Sequence, residues 1–383
     1  MMSPAKTATS FAILLAVLFS QANGNPAKPC NPDKCKLPDC FCSGTKIPGN
    51  LSASSIPQIV MITFDAAVNS GGFSLYEELF NGQFKNPNDC NISATFFVKH
   101  EYTNYCMVQA LYNQRHEIAD NSISRRLPIS WWKTATEKQL TEEIVGMREI
   151  LRKWGYVNPE DVKGYRAPYI QVGGNTEFKT LQDALFLYES SMPTQMYRDP
   201  PLWPYTLEYR STQDCVIEPC PTDSFPALWE VPLVDYNSKD GQLCNFIDSC
   251  TPPDTAQEAF ELFDSNFERH YTTNRAPFFM LLEEQWLANS TYFEGTVTFL
   301  KKLASMSDVW VVTISQALDW IMTPTTLENI EDFAPWKCDS TPPPACPAGN
   351  CRVCYYPERE RVMQTCAPEC PPHYPWVGNP DGN

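Results

Sequence analysis

Histidine is scarce in this chain: 383 residues hold four, His100, His116, His270 and His373. That leaves little material for a metal or acid–base centre built on imidazoles. Positive charge is also short. Lysine and arginine total 29 against 45 acids, a net charge of −16, which excludes a simple electrostatic attraction to nucleic acid. The acidity suits solubility outside a cell, or a cationic partner such as a partly deacetylated aminosugar polymer. After the first 24 residues no apolar run reaches the roughly 18 residues of a membrane span, and no internal repeat is visible. A monomer with neither nucleic-acid nor membrane partners is expected.

Residues 1–24 have the layout of a cleaved secretory signal: Lys6, an apolar run from Phe11 to Phe19, then Ala22-Asn23-Gly24. The 16 cysteines all follow it, an even number that predicts up to eight disulfides in an oxidising, extracellular compartment. Asn50-Leu-Ser, Asn91-Ile-Ser and Asn289-Ser-Thr are sequons that such a compartment could glycosylate.

The remaining 360 or so residues suffice for one large α/β domain with an appendage or for two domains, and composition does not choose between them. Residues 25–55 carry Cys30, Cys35, Cys40 and Cys42 among prolines and predict a stapled arm. Between 56 and 323, strand candidates (59–64, 94–98, 117–119, 162–165, 228–231, 278–282 and 309–313) alternate with amphipathic segments. The clearest helix is 136–154, where Leu140, Ile144, Met147, Leu151 and Trp154 recur at helical spacing and Thr134-Ala-Thr-Glu137 resembles a capping box. Alternating strands and helices mean parallel pairing in a barrel or a doubly wound sheet, and about seven strands favour a barrel, complete or incomplete. Residues 324–383 hold six cysteines and Pro342-Pro343-Pro344, a disulfide-held tail. In this compartment Cys351-Arg-Val-Cys354 reads as disulfide cysteines, not a zinc site.

In such a barrel the functional face lies at the carboxyl ends of the strands. There the sequence supplies Asp65, Asp120, Asn121, Arg125, Arg166, Tyr169, Asp235, Glu283 and Glu284. Trp131, Trp132, Trp203, Trp229 and Trp286 flank them, and with Tyr169 they are the candidate sugar-stacking residues. Trp229 and Trp286 could instead be core residues of their strands; Trp131 and Trp132, in a loop ahead of the helix, are the better candidates for exposed sugar contacts.

The ordered stretches ITFDAAVN, HEIADNSISRR, GYRAPYIQVGGN, LWPYTLEY, FPALWEVPL and FFMLLEEQWL resemble the polysaccharide deacetylases, the NodB homology fold of carbohydrate esterase family 4. More narrowly they resemble its insect midgut chitin deacetylase-like members. The resemblance implies a deformed (β/α) barrel, a zinc-type metal on one Asp and two His, an Asp base with an orienting Arg, and a late His acid. Laid on this chain, Asp65 takes the base position and Arg166 the orienting one. The ligand positions hold Ala66, Asn121 and Arg125, and the acid position holds Glu283. A methyl group has no lone pair, an amide oxygen binds zinc weakly, and a guanidinium repels a cation. Neither metal nor cofactor is therefore expected.

This predicts a secreted homologue that binds chitin, or partly deacetylated chitin, without catalysis. One alternative is residual deacetylation with Asp65 as base, Glu283 as acid and Arg125 in the metal's place. Another is glycoside hydrolysis by Asp65 and Glu283, which needs their carboxyl groups about 5 or about 6.5–9.5 Å apart.

Overall fold

Nine strands build one curled sheet, seen in a computed structural model that describes residues 24–338 and 350–383. Nearly all of the predicted leader and the Pro342-Pro343-Pro344 run lie outside the described residues. In chain order the first half contains β1 (Gln58–Ala66), α1 (Ser70–Leu79), β2 (Ala94–Val98), α2 (Tyr105–Asn113), β3 (Glu117–Asp120), α3 (Glu137–Gly155), β4 (Gly164–Tyr165), α4 (Gly174–Asp183), β5 (Tyr188–Glu189) and β6 (Pro193–Thr194). There follow β7 (Tyr205–Leu207), β8 (Phe225–Glu230), β9 (Leu233–Val234), β10 (Tyr236–Asn237), β11 (Leu243–Cys244), α5 (Ala256–Tyr271), β12 (Phe278–Leu282), α6 (Glu284–Ala288), α7 (Ser290–Ala304), β13 (Val309–Val311), α8 (Ile314–Met322), β14 (Arg352–Tyr356) and β15 (Arg361–Thr365).

The sheet runs β12-β1-β2-β3-β4-β5-β8-β7, with β13 alongside β1. Every pairing in it is parallel except β7 with β8. The sheet thus curls as an open barrel whose edge strands β12 and β7 are not bonded to each other.

Both faces of β1 are covered, which is why its sequence is a continuous apolar run rather than an alternation. Val60, Ile62 and Phe64 pack outward under α1, α2, α5 and α7. Ile59 and Met61 pack inward with Trp203, Trp229, Trp310 and Trp320. Thr63 and Asp65 share that inward parity, so period-2 geometry carries the acid toward the barrel mouth.

Seven disulfides join described cysteines. Cys30–Cys42 and Cys35–Cys40 staple the arm, Cys215–Cys220 and Cys244–Cys250 close loops, and Cys354–Cys370 staples the β14–β15 hairpin. Cys90–Cys338 and Cys106–Cys351 sew the tail to the barrel. The two cysteines of the Cys351-Arg-Val-Cys354 spacing therefore go to different partners. The tail also packs into the barrel's outer core through Tyr356, Met363 and Tyr374. The Pro375 carbonyl meets His100 Nε2 at 2.8 Å.

Several predicted boundaries move. β1 extends to Ala66, placing Asp65 and Ala66 within the strand; β8 starts at Phe225; β4 shrinks to two residues. The helix predicted over 136–154 is α3. Its capping box is Thr136 with Gln139, not Thr134 with Glu137, because Thr134 is held by Trp131 in the preceding turn.

Candidate functional site

Strand register assembles the mouth. Asp65 stands opposite Phe97 and Ala66 opposite Val98; Val98 stands opposite Asp120, and Asp120 opposite Tyr165. On the other side Phe64 pairs with Leu282. The next residues at the strand ends, Lys99, Asn121, Arg166 and Glu283, therefore come side by side.

Arg166 is wholly buried. Its backbone N–H donates to the Asp120 carbonyl at 2.9 Å, and its Nε donates to the Ser190 carbonyl at 2.7 Å. Nη2 reaches Ser190 Oγ at 3.2 Å and Nη1 reaches Thr63 Oγ1 at 3.2 Å, while the guanidinium lies 3.9 Å from the Phe97 ring centroid. One direction is left, and there Nη1 donates to Asp65 Oδ1 at 2.8 Å. This geometry brings together the acid and the arginine that the sequence paired.

Asn121 is buried, and its Nδ2 donates to the Arg166 carbonyl at 2.9 Å. Its loop turns sharply through left-handed backbone at Ser122 (φ 64) and Arg125 (φ 41). That turn sets the Arg125 guanidinium 5.0 Å from the Tyr169 ring centroid, and Tyr169 Oη donates to the Arg125 carbonyl at 2.8 Å. Glu283 follows β12 and accepts from Gln285 Nε2 at 3.0 Å. Burial and then the Asp65 charge push its carboxyl upward, while Arg125 and Lys99 pull it back. The Glu284 carboxylate lies against the first turn of α1, where a Cβ on Gly71 or Gly72 would come within 2.9 or 3.0 Å of it. The N-terminal helix charge favours an acid there.

Lys99 escaped the sequence reading. It is the residue immediately after β2, so the strand-end rule that gave Asp65 and Asn121 also pointed to it. Its N–H donates to the Ala66 carbonyl at 3.0 Å. Burial, then Arg125, hold its ammonium below the usual lysine value, against the opposing pull of Glu283, Asp65 and Glu284.

Other candidates fall elsewhere. Asp120 is buried with its carboxyl pushed well up, chiefly by burial. Asp235 sits among Gln195, Asp214, Arg198 and Arg269, and burial raises its carboxyl to about 6. Trp132, Trp203, Trp229 and Trp286 are at most 2% exposed, so as they stand they cannot stack on a sugar. The curl has an interior that needs large apolar side chains: Trp203 stacks on Trp320, and Trp286 packs on Phe263 and Tyr292. Trp131 alone of the five is half-buried, capped by Arg126 at 4.6 Å. It shares a loop with exposed Leu127 and Ile129.

A second feature missed by sequence is a buried trio of carboxyls, Glu177, Glu189 and Glu230. Burial pushes all three upward, and Glu177 and Glu230 are pushed further by the charge of Glu189. Neither oxygen of Glu230 has a hydrogen bond of regular geometry, and a buried carboxyl without one is costly to ionise.

The donors at the mouth do not fit a zinc-type cation. Ala66 has no lone pair, the Asn121 amide oxygen is unpaired but only a weak ligand for zinc, and two cationic side chains, Lys99 and Arg125, occupy the neighbourhood. His100, His116 and His270 are buried away from the mouth; each is pushed down to about 3, mainly by burial. His373 lies exposed in the tail.

A curled parallel sheet with Asp65 and Arg166 paired at its strand ends is the architecture of a polysaccharide deacetylase. The chain is 39% identical over 377 residues to chitin deacetylase 1 of Bombyx mori, covering 94% of this chain and 69% of that protein. It is 38% identical over 368 residues to chitin deacetylase 8 of Bombyx mori, covering 93% and 94%. It belongs to the chitin deacetylase family. No family model matches it. Among solved structures it is similar to a polysaccharide deacetylase from Mycobacterium smegmatis, with TM-score 0.48, 20% identity, and coverage of 74% of this chain and 95% of that one.

Proposed function

We propose that the protein is a secreted, metal-free and catalytically silent family member that binds chitin in an extracellular chitin matrix such as a peritrophic matrix. The observation that carries this is the substitution of the mouth: Ala66, Asn121 and Arg125 stand where the family holds its metal, with Lys99 beside them. Without a metal the attacking water keeps a pKa near 15.7 instead of about 7, and nothing polarises the amide carbonyl. Asp65, oriented by Arg166 as a base would be, faces no activated water. The disulfides, and the lack among the described residues of any helix long and apolar enough to cross a membrane, support a life outside the cell. With four tryptophans buried, the sugar-contacting surface falls to Trp131, Leu127 and Ile129 on the loop that carries Arg125, and to Tyr169. The half-buried rings of Trp131 and Tyr169, with Leu127 and Ile129 exposed beside Trp131, suit the apolar ring faces of a neutral polymer.

The retained Asp65–Arg166 pair favours one alternative, residual deacetylation with Glu283 as acid and Arg125 as electrophile. A single experiment separates the two. Zinc content, acetate release from chitin oligomers and retention on chitin beads are measured for the natural protein and for the combined variant Ala66→Asp, Asn121→His, Arg125→His and Glu283→His. The expected result is retention without zinc or acetate in the natural protein. Acetate above a protein-free control overturns silence, and failure to be retained overturns chitin binding.

A further inference from the structure

The mouth contains three cations, and among the described residues one of them is held in an ion pair. Arg166 has Asp65. Lys99 and Arg125, both half-buried, have no ion pair among the described residues, and the Arg125 guanidinium has only the Tyr169 ring, at 5.0 Å. A buried charge without a partner is costly, and two such cations add mutual repulsion. For Lys99, Arg125 is the strongest electrostatic neighbour, ahead of every acid. The turn that carries Arg125 passes through left-handed backbone at Ser122 and Arg125.

The local acids do not remove the imbalance. Asp65 is committed to Arg166, Glu284 lies on the first turn of α1, and Glu283 is pushed toward its neutral form by burial and by Asp65. What Lys99 and Arg125 lack is an anion in direct contact with them. Asp65 and Glu284, whose charges act on Lys99, limit the charge of that anion, because they would repel a dianion. A guanidinium presents a planar fork suited to two oxygens, and an ammonium adds a point charge beside it.

We infer that Lys99 and Arg125 are the receptor for a single carboxylate, held where the family holds its cation. The carboxylate comes either from a small free acid or from a uronic-acid unit of a glycan. The inference rests on the metal-free reading of the same mouth, so metal content is measured on each sample.

The test is isothermal titration calorimetry of the full-length secreted protein with acetate, glucuronate, a glucuronate-containing oligosaccharide, glucose and inorganic sulfate. Saturable binding of the carboxylates, and none of glucose, is expected. Tighter binding of the oligosaccharide than of acetate assigns the site to a glycan, and equal binding assigns it to a free acid. Lys99→Gln and Arg125→Gln should each weaken carboxylate binding about 10- to 100-fold. Lys99→Arg should preserve it, and thermal melts should establish that all variants are folded. Sulfate binding as tightly as acetate, or carboxylate binding unchanged in both glutamine variants, overturns the inference. A metal-free protein that is retained on chitin but binds no carboxylate overturns it alone. A zinc-loaded protein overturns the metal-free reading and this inference with it.

Discussion

Arg166 Nη1 stands 2.8 Å from Asp65 Oδ1, and the two side chains are 0% and 3% exposed. Removing one partner of such a pair strands the other's charge in the interior. Arg166→Met should therefore destabilise the protein by about 3–5 kcal/mol in urea unfolding. The double variant Asp65→Asn with Arg166→Met should lose less than Arg166→Met alone, since it leaves no bare charge. A double variant at least as unstable as the single one would show that the pair contributes net stability.

Two sets of buried titrating groups give stability opposite slopes with pH. Glu177, Glu189 and Glu230 have raised values in the fold. Above about 4.5, where an unfolded glutamate ionises, the unfolded chain releases protons that the fold retains, and stability falls as pH rises. His100, His116 and His270 are pushed down to about 3. Below about 6.5 the unfolded chain takes up protons that the fold refuses, and stability falls as pH drops toward 3. The two effects oppose each other between about pH 4.5 and 6.5, so melting temperature should peak there. Glu230→Gln should flatten the alkaline limb while leaving the acid limb in place. A melting temperature still climbing from pH 7 to 9 would mean that the trio is ionised in the fold.

Tryptophan substitutions should divide by location. Trp286, with its Nε1 donating to Thr296 Oγ1 at 3.0 Å, is core, and Trp286→Ala should cost about 3–5 kcal/mol of stability. Trp286→Phe should leave retention on chitin unchanged. Trp131→Ala should reduce retention with little change in melting temperature. Retention that depends on Trp286→Phe but not on Trp131→Ala would place the sugar elsewhere.

The bridges from barrel to tail should matter more than the local staples. Cys106–Cys351 spans 245 residues and Cys215–Cys220 spans 5. Loop-closure entropy grows with the logarithm of the enclosed length. Replacing Cys106 and Cys351 together by Ser should thus lower stability by about 2–5 kcal/mol. Replacing Cys215 and Cys220 should cost less in the same denaturant titration.

Long apolar runs made the central strands legible, because β1, β2 and β12 are covered on both faces. β5 and β7, two and three residues long, are too short for any period to register. The helix cap was ambiguous in principle: Thr134 with Glu137 and Thr136 with Gln139 both satisfy the pattern, and the turn through Trp131 decides between them. Asp65 and Arg166 could be read from strand-end position and motif together. Lys99 obeyed the same positional rule but carried no motif. The tryptophans misled because a local sequence does not say whether a curled sheet will enclose them. Disulfide partners could not be read at all, since Cys351 and Cys354, three residues apart, pair with Cys106 and Cys370.

The two bridges from barrel to tail also fix how the molecule carries a load. Tension applied between the arm and the end of the tail runs along the chain through β1 to Cys90, and from there it crosses either by Cys90–Cys338 or, further along the chain, by Cys106–Cys351. Arg125, Arg166 and Glu283 lie outside both routes, in slack chain, while β1 lies on the taut path. Stretching the protein would therefore pull Asp65 against Arg166, a partner that bears no tension, and the mouth is where the strain would be felt.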